Sequence, residues 1–256
     1  PELLAKQGVI PGIKVDGGTK AMALCPGETI TEGLDGLAKR CAEYVKLGAK
    51  FAKWRAVIDI GADIPSTTCI AANAHALARY AAICQEAGIV PIVEPEVLMD
   101  GDHTIERCEQ VTEWTLNAVF EALYMNRVSL EGSVLKPSMV ISGKKCPQQA
   151  SVQEVAERTV RTLKRTVPAA VAGIAFLSGG QADEVATAHL DAMNKLGNNP
   201  WPLSYSYGRA LQQPSLKAWR GQSANVAAAQ AALAHRGRMN SLASLGKYSA
   251  ALEAQK

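Results

Sequence analysis

Charged side chains interrupt several short apolar runs of this 256-residue sequence. They fall inside or at the end of four successive runs: Lys14 and Asp16, Lys53 and Arg55, Glu94 and Glu96, and Lys136. Any one of them taken alone is as often a paired structural ion, because an isolated buried charge is costly. Four consecutive runs that each deliver a charge favour a shared site in which lysines and carboxylates act together.

Lys136 is the best candidate for a nucleophile. A lysine attacks a ketone only as the neutral amine, whereas a free lysine is protonated at neutral pH. Apolar surroundings and a neighbouring ammonium both favour the neutral form. Lys136 follows Val134 and Leu135 and precedes Pro137, and Lys53 is expected nearby. Two further groups, Glu94 and Glu96, could move protons while a carbinolamine forms and loses water.

Two turns in the last third of the chain are suited to phosphate. The first, Ser178-Gly179-Gly180, exposes backbone N–H groups at the expected start of a helix. The second, Ser206-Tyr207-Gly208-Arg209, adds bare backbone and a guanidinium whose geometry matches phosphate oxygens. A lone Gly-Gly pair is usually just a turn. The two turns together, after the last two apolar runs, indicate an anion site.

These residues need a scaffold that brings distant segments to one edge. Apolar runs recur about every forty residues, at 9–15, 49–54, 89–94, 133–140, 173–177 and 203–206. Several are apolar at nearly every position, which is typical of strands buried on both faces. Amphipathic helices are predicted between them, at 31–47, 66–87, 104–126, 151–166 and 183–196. An alanine-rich helical tail follows from about residue 222, with interruptions near Gly237 and Gly246.

Alternation of strand and helix predicts an α/β fold with a parallel sheet, either open and doubly wound or closed as a (β/α)8 TIM barrel. The open fold usually carries G-x-G-x-x-G after a strand, and residues 16–20 lack that spacing. Charges at the ends of many strands favour the barrel. We therefore predict one barrel domain over residues 1–256 with about six of eight βα units. The other two are expected upstream, because the chain opens without methionine on what resembles the last turn of a helix.

Composition excludes several other classes of function. The formal net charge is only +3 and the 27 basic residues are dispersed, so no nucleic-acid or membrane partner is expected. No apolar run approaches the roughly 20 residues of a bilayer span, and no signal peptide is expected. The six cysteines and four histidines lack zinc-ligand spacing, so we expect reduced thiols, a cytoplasmic location, no metal and no cofactor.

Six segments together closely resemble class I fructose-1,6-bisphosphate aldolases. They are GIKVD at 12–16, FAKWR at 51–55, VEPE at 93–96, LKPSMV at 135–140, FLSGGQ at 176–181 and YGRALQ at 207–212. Two more, GLDGL at 33–37 and LGKY at 245–248, also fit. The resemblance implies a (β/α)8 barrel, usually a homotetramer. It also implies reversible cleavage of fructose 1,6-bisphosphate, in glycolysis and gluconeogenesis, to dihydroxyacetone phosphate and glyceraldehyde 3-phosphate.

The same resemblance implies a role for each site residue. Lys136 matches the Schiff-base lysine, Glu94 the acid/base that dehydrates the carbinolamine, and Glu96 its supporting carboxylate. Lys53 matches the lysine that assists C–C cleavage and binds substrate hydroxyls. The phosphate-binding matches are Lys14 and Arg55 toward the 6-phosphate, and Ser178, Gly179, Gly180, Gly208 and Arg209 toward the 1-phosphate, with Ser206 beside them.

Three departures from the family pattern accompany the resemblance. The family's first two βα units, with an aspartate and serines of the site, are not in this stretch. Asp16-Gly17-Gly18 replaces the more usual Asp-Lys-Gly or Asp-Thr-Gly, and the tyrosine-ended tail of animal and plant relatives is not in this stretch either, as in bacterial members. The alternatives left open are a preference for sedoheptulose bisphosphate, another lysine-dependent barrel lyase, and a non-catalytic scaffold. Scattered histidines disfavour a metal-dependent aldolase.

Overall fold

Six parallel strands form the central sheet of the structure, a computed structural model that describes residues 1–254. Labelled with all other strands in chain order, they are β1 (Gly12–Lys14), β4 (Phe51–Ile58), β5 (Val90–Val97), β6 (Val134–Leu135), β7 (Gly173–Phe176) and β8 (Leu203–Tyr205). Each strand pairs with the next of these in the sequence, in the order β1-β4-β5-β6-β7-β8. A doubly wound sheet would reverse its order part-way, whereas a (β/α)8 barrel adds strands in sequence. The sheet is therefore an arc of such a barrel.

Helices separate the strands and cover the outer face of the sheet. Their bounds are α1 (Glu2–Lys6), α2 (Leu37–Lys46), α3 (Thr67–Glu86), α4 (Ile105–Met125), α5 (Val152–Thr166), α6 (Asp183–Leu196), α7 (Arg209–Trp219) and α8 (Val226–Ala243). Three begin where the sequence predicted, because the side chains of Ser66, Thr104 and Ser151 accept hydrogen bonds from the backbone N–H three residues on. Short 3-10 turns cover Ser223–Asn225 and Ala250–Ala254.

The expected helix over 31–47 is wrong at its start. Thr31 lies instead in β3 (Thr29–Glu32), which pairs antiparallel with β2 (Gly18–Ala21) in a separate hairpin. Helix α2 begins only at Leu37, because Gly33 and Gly36 both adopt positive φ angles that interrupt a helix. The hairpin is tied to the central sheet by Thr31 Oγ1, which donates to Arg55 O at 2.7 Å.

Two other expectations differ from the structure in extent. Of the run 133–140, only Val134–Leu135 forms strand β6, because Pro137 has no N–H and the N–H of Val140 donates instead to Thr159 Oγ1 at 2.9 Å. The predicted interruption at Gly237 is wrong, since α8 runs through it without a break. Helix α7 was not predicted at all.

No helix within residues 1–254 combines the length and the apolar character needed to cross a bilayer.

Tyr80 of α3 holds together the two strands that carry Lys53 and Glu94. It is fully buried and its ring stacks on Trp54 with centroids 5.6 Å apart. Its hydroxyl donates to Ala52 O at 2.7 Å and lies 3.2 Å from Ile92 O, so it reaches the backbone of both β4 and β5.

We expect Tyr80→Phe to lower the free energy of unfolding by about 1 kcal/mol, because it removes this hydrogen bond and keeps the ring in place. Chemical denaturation measures the change. The matched control is Tyr124→Phe, whose side chain is exposed at the end of α4; it should leave the stability unchanged. A Tyr80→Phe protein as stable as the Tyr124→Phe protein would show that the hydroxyl does not hold the strands.

His189 of α6 makes the stability of the fold dependent on pH. It is buried, and burial lowers its pKa from 6.5 to about 4. Between these values the unfolded chain binds a proton that the folded chain does not bind. Stability is therefore fully present above pH 6.5 and is lost as the pH falls toward 4.

When the pH is lowered from 7 to 4.5, we expect the free energy of unfolding of His189→Gln to fall by about 2–3 kcal/mol less than that of the parent protein. The reason is that the variant has no imidazole to protonate in the unfolded state. Denaturation at both pH values gives this difference. A control, His75→Gln, removes an exposed histidine of α3 and should keep the parent pH dependence. Equal pH dependence in the His189→Gln protein would contradict the assignment.

Candidate active site

A single buried carboxylate, that of Glu94, lies between two lysines. Its Oε1 is 3.0 Å from Lys136 Nζ and its Oε2 is 2.5 Å from Lys53 Nζ. Glu94 is 4% exposed and Lys136 is 9% exposed. With both amines protonated, Lys53, Lys136 and Glu94 together carry one excess positive charge in a site that is largely closed to water. A neutral amine at one of the two positions removes that excess.

The register of the sheet brings these three side chains together. Lys53 of β4 is paired with Ile92 of β5, so Glu94 lies two residues farther along, opposite Arg55. Lys136 directly follows β6, and its N–H donates to Val93 O at 2.7 Å. Because side chains of a strand alternate between faces, residues 53 and 55 share one face, as do 94 and 96. All four therefore point to the inner face of the arc.

A second ion-pair network lies beside the first, nearer β1. Arg55 Nε bonds to the buried carboxylate of Glu96. The carboxylate of Asp16 is 2.6 Å from Lys14 Nζ and also accepts from the N–H of Arg55 at 3.2 Å. Burial alone lowers the pKa of Arg55, but the hydrogen bond to Glu96 and the neighbouring carboxylates outweigh it and raise that pKa. Arg55 is thus a fixed cation, and Lys14, 54% exposed, stands at its outer side.

The glycine turn after β7 is preorganised and supported from behind. Gly179 and Gly180 have φ angles of +59° and +88°, a backbone region that residues with a side chain rarely adopt. Ser178 is buried, and its carbonyl accepts from Gln181 N at 3.0 Å. The side chain of Gln181 is held in turn by His189, whose Nδ1 lies 2.6 Å from Gln181 Oε1.

The second predicted turn meets the first. Ser206 is half-buried and its N–H donates to Phe176 O at 2.8 Å, which places the end of β8 beside the end of β7. Gly208 is exposed and Arg209 begins α7. A Cβ built on Gly180 would lie only 3.2 Å from Arg209 Nη2, so the guanidinium reaches over the glycine turn.

The sequence-predicted residues thus form three groups on adjacent strand ends. One contains Lys136, Glu94 and Lys53, one contains Glu96, Arg55 and Lys14, and one contains Ser178, Gly179, Gly180, Ser206, Gly208 and Arg209. The first and third are joined through backbone, since Leu177 N donates to Pro137 O at 3.1 Å. Among residues 1–254, no side-chain hydrogen bond or ion pair joins the first group to the third.

Two charged residues near the third group were not predicted. Lys144 Nζ is 2.7 Å from Asp100 Oδ1 and lies beside the glycine turn. Both belong to loops, Asp100 six residues after the apolar run 89–94 and Lys144 four residues after the run 133–140, so the reasoning from the ends of these runs did not find them.

Among the described residues, no three His, Cys, Asp or Glu side chains are arranged so that they could hold a metal ion. All six cysteines are free thiols.

Comparison with known proteins identifies the family. A family model described as class-I fructose-bisphosphate aldolase matches residues 1–256. A probable fructose-bisphosphate aldolase class 1 of Xanthomonas campestris is 64% identical over 246 residues, which cover 96% of this chain and 74% of that protein. Fructose-bisphosphate aldolase of Dictyostelium discoideum is 56% identical, over 96% of this chain and 70% of that protein.

Solved structures give the same result for the fold. Fructose-bisphosphate aldolase of Plasmodium falciparum, solved in complex with TRAP and a small-molecule inhibitor, superimposes with a TM-score of 0.95 at 51% identity, covering 97% of this chain and 72% of that one. The prediction of a (β/α)8 barrel with about six of its eight units in this chain is confirmed, as is the resemblance drawn from the sequence motifs. The chain belongs to the class-I fructose-bisphosphate aldolase family, whose members are carbon–carbon lyases.

Proposed function

We propose that this chain cleaves fructose 1,6-bisphosphate reversibly to dihydroxyacetone phosphate and glyceraldehyde 3-phosphate through a Schiff base on Lys136. The observation that carries the proposal is the buried carboxylate of Glu94 shared by Lys136 and Lys53. A paired structural ion would need only one lysine. The second lysine lets one amine be neutral while the other keeps the carboxylate paired.

Lys136 forms the covalent intermediate in this proposal. Its neutral Nζ attacks the C2 ketone, and proton transfer from nitrogen to oxygen gives a carbinolamine. Glu94 lies 3.0 Å from Lys136 Nζ and 2.5 Å from Lys53 Nζ, and it passes a proton from the Lys53 ammonium to the C2 hydroxyl. The hydroxyl leaves as water while the nitrogen lone pair forms the protonated imine. Lys136 rather than Lys53 takes this part because it is the more buried of the two.

Cleavage uses the iminium as an electron sink. A base removes the C4 hydroxyl proton, the C4–O bond becomes the aldehyde carbonyl, and the C3–C4 electron pair moves into the enamine on Lys136. Lys53 faces Glu94 and binds substrate hydroxyls during this step. Protonation of C3 followed by addition of water to the imine returns the free amine and dihydroxyacetone phosphate.

The charge layout of the strand ends supports a substrate with two phosphates. On one side of Lys136, β1 and β4 carry Lys14 and Arg55, which we assign to the 6-phosphate. On the other side, the turns after β7 and β8 carry the second group. Its members, which we assign to the 1-phosphate, are Ser178, Gly179, Gly180, Ser206, Gly208 and Arg209. The ketone between the two phosphates then lies over Lys136 and Glu94.

We further propose that the protein acts in glycolysis and gluconeogenesis, in the cytoplasm, as a homotetramer of single-domain subunits. Support for the location comes from relatives named cytosolic or cytoplasmic isozymes in Arabidopsis thaliana and Pisum sativum, which are 58% and 55% identical. Size-exclusion chromatography with light scattering on the full-length protein tests the assembly, and a mass of one or two subunits would contradict it.

The lysine assignment is tested by trapping. Borohydride with dihydroxyacetone phosphate should place a reduced adduct on Lys136, found by peptide mass spectrometry of the full-length protein. Lys136→Arg should form no adduct, because a guanidinium stays protonated and is not nucleophilic. The control Lys145→Arg changes an exposed lysine of a nearby loop and should keep the adduct. An adduct on Lys53, or none in the parent protein, would overturn the assignment.

The role of Glu94 is tested by Glu94→Gln, which keeps size and removes the proton donor. We expect kcat to fall by about 100-fold or more, with little change in KM. Glu96→Gln serves as the matched control, because that carboxylate bonds to Arg55 rather than to Lys136; it should reduce kcat much less. Equal losses in the two variants would show that Glu94 has no special part in proton transfer.

A further inference from the structure

Lys144 lies over the glycine turn together with Arg209. A Cβ built on Gly180 would be 2.8 Å from Lys144 Nζ and 3.2 Å from Arg209 Nη2. Both distances are measured from one point, so the two cationic nitrogens are at most about 6 Å apart. Two like charges this close repel each other, and an anion bound between them would attract both and offset that repulsion.

Neither cation is fully satisfied by the protein. The ion pair of Lys144 is with Asp100, and both side chains are exposed, at 36% and 59%. Exposed pairs of this kind contribute little to stability, so Lys144 can exchange its partner at small cost. Arg209 has no ion pair and no side-chain hydrogen bond with the described residues. The turn therefore carries net positive charge next to free backbone N–H groups.

The backbone of Lys144 is held by hydrogen bonds between two loops. Its N–H donates to Met99 O at 2.7 Å, and the N–H of Lys145 donates to Gly101 O at 3.0 Å. Gly143 permits this contact, because a Cβ there would lie 2.3 Å from Gly101 O. The loop after β6 is thus bonded to the loop after β5. This holds the Lys144 side chain at the glycine turn rather than leaving it on a mobile segment.

We propose that Lys144 is a further binding group for the 1-phosphate of the substrate. When the phosphate dianion enters the turn, Lys144 leaves Asp100 and contacts the phosphate opposite Arg209. The inference rests on the proposed function, since it names an additional contact for the same phosphate. It also assigns Asp100 a part, as the carboxylate that holds Lys144 in the absence of substrate and competes with the phosphate for it.

The test compares two ketones that differ only in the phosphate. The full-length protein is reduced with borohydride in the presence of dihydroxyacetone phosphate or of dihydroxyacetone, and the adduct on Lys136 is followed against ketone concentration. For Lys144→Gln we expect the half-saturating concentration of the phosphorylated ketone to rise about fivefold to tenfold, as for the loss of one hydrogen bond of ordinary strength at an exposed position. The unphosphorylated ketone should be unaffected.

Two control variants distinguish a direct contact of Lys144 with the phosphate from the general electrostatic effect of positive charge near the turn. Lys145→Gln removes the same charge from the neighbouring exposed residue and should change neither ketone. Asp100→Asn releases Lys144 and should lower the half-saturating concentration of the phosphorylated ketone by about twofold to threefold. Equal effects of Lys144→Gln and Lys145→Gln, or equal effects of Lys144→Gln on both ketones, would overturn the proposal.

A separate measurement keeps this inference distinct from the Schiff-base mechanism. Inorganic phosphate binding, measured by calorimetry, should be weaker in Lys144→Gln than in Lys145→Gln, whether or not any lysine forms an adduct. Absence of an adduct in the parent protein would overturn the mechanism alone. Unchanged phosphate affinity in Lys144→Gln, with thermal melts showing an intact fold, would overturn the part assigned to Lys144.

Discussion

The shared carboxylate of Glu94 depends on the register of three parallel strands. A slip of one residue in β4 would turn Lys53 to the opposite face, since side chains alternate along a strand. That slip is opposed by Ala52, Trp54 and Ala56, which are buried at the intervening positions of β4 and would be exposed by it. The hydrophobic effect on one face thus fixes the position of charges on the other. Burying these charges costs free energy, which the ion pairs of Glu94 with the two lysines partly offset.

Strand order converts this local arrangement into a site for an extended substrate. In a sheet that adds strands in sequence, residues far apart in the chain lie at neighbouring strand ends. The reacting lysine is near the middle, at the end of β6, and cations occur to either side. A doubly wound sheet in the order 3-2-1-4-5-6 would separate the third strand from the fourth, and so Glu94 from Lys136, which the observed pairing of β5 with β6 places together. The order of the strands is therefore as important for binding as the residues themselves.

Sequence reasoning found the residues whose environment is set by the strand that carries them. A charge at the end of an apolar run, or two glycines before a helix, is visible without a structure, and Lys136, Glu94 and Gly180 were predicted in this way. Lys144 was not, because its position comes from backbone bonds between two loops that are more than forty residues apart. The hairpin over β2 and β3 was missed for a related reason: the Thr31 side chain ties it to the distant strand β4, whereas the local pattern resembled a helix.

The two sets of residues assigned to the phosphates differ in burial. In the proposed reaction this difference bears on the order in which the products leave. After the C3–C4 bond breaks, the ketone fragment stays covalently attached to Lys136, so the aldehyde fragment must leave first. The cations assigned to the aldehyde's phosphate, Lys14 and Arg55, are 54% and 39% exposed. Ser178 on the ketone side is buried, and its turn is supported through Gln181. In the proposed mechanism, retention of the ketone fragment therefore comes from its covalent bond to Lys136 and from the buried turn, because the cations on both sides, Arg209 included, are exposed and screened by water.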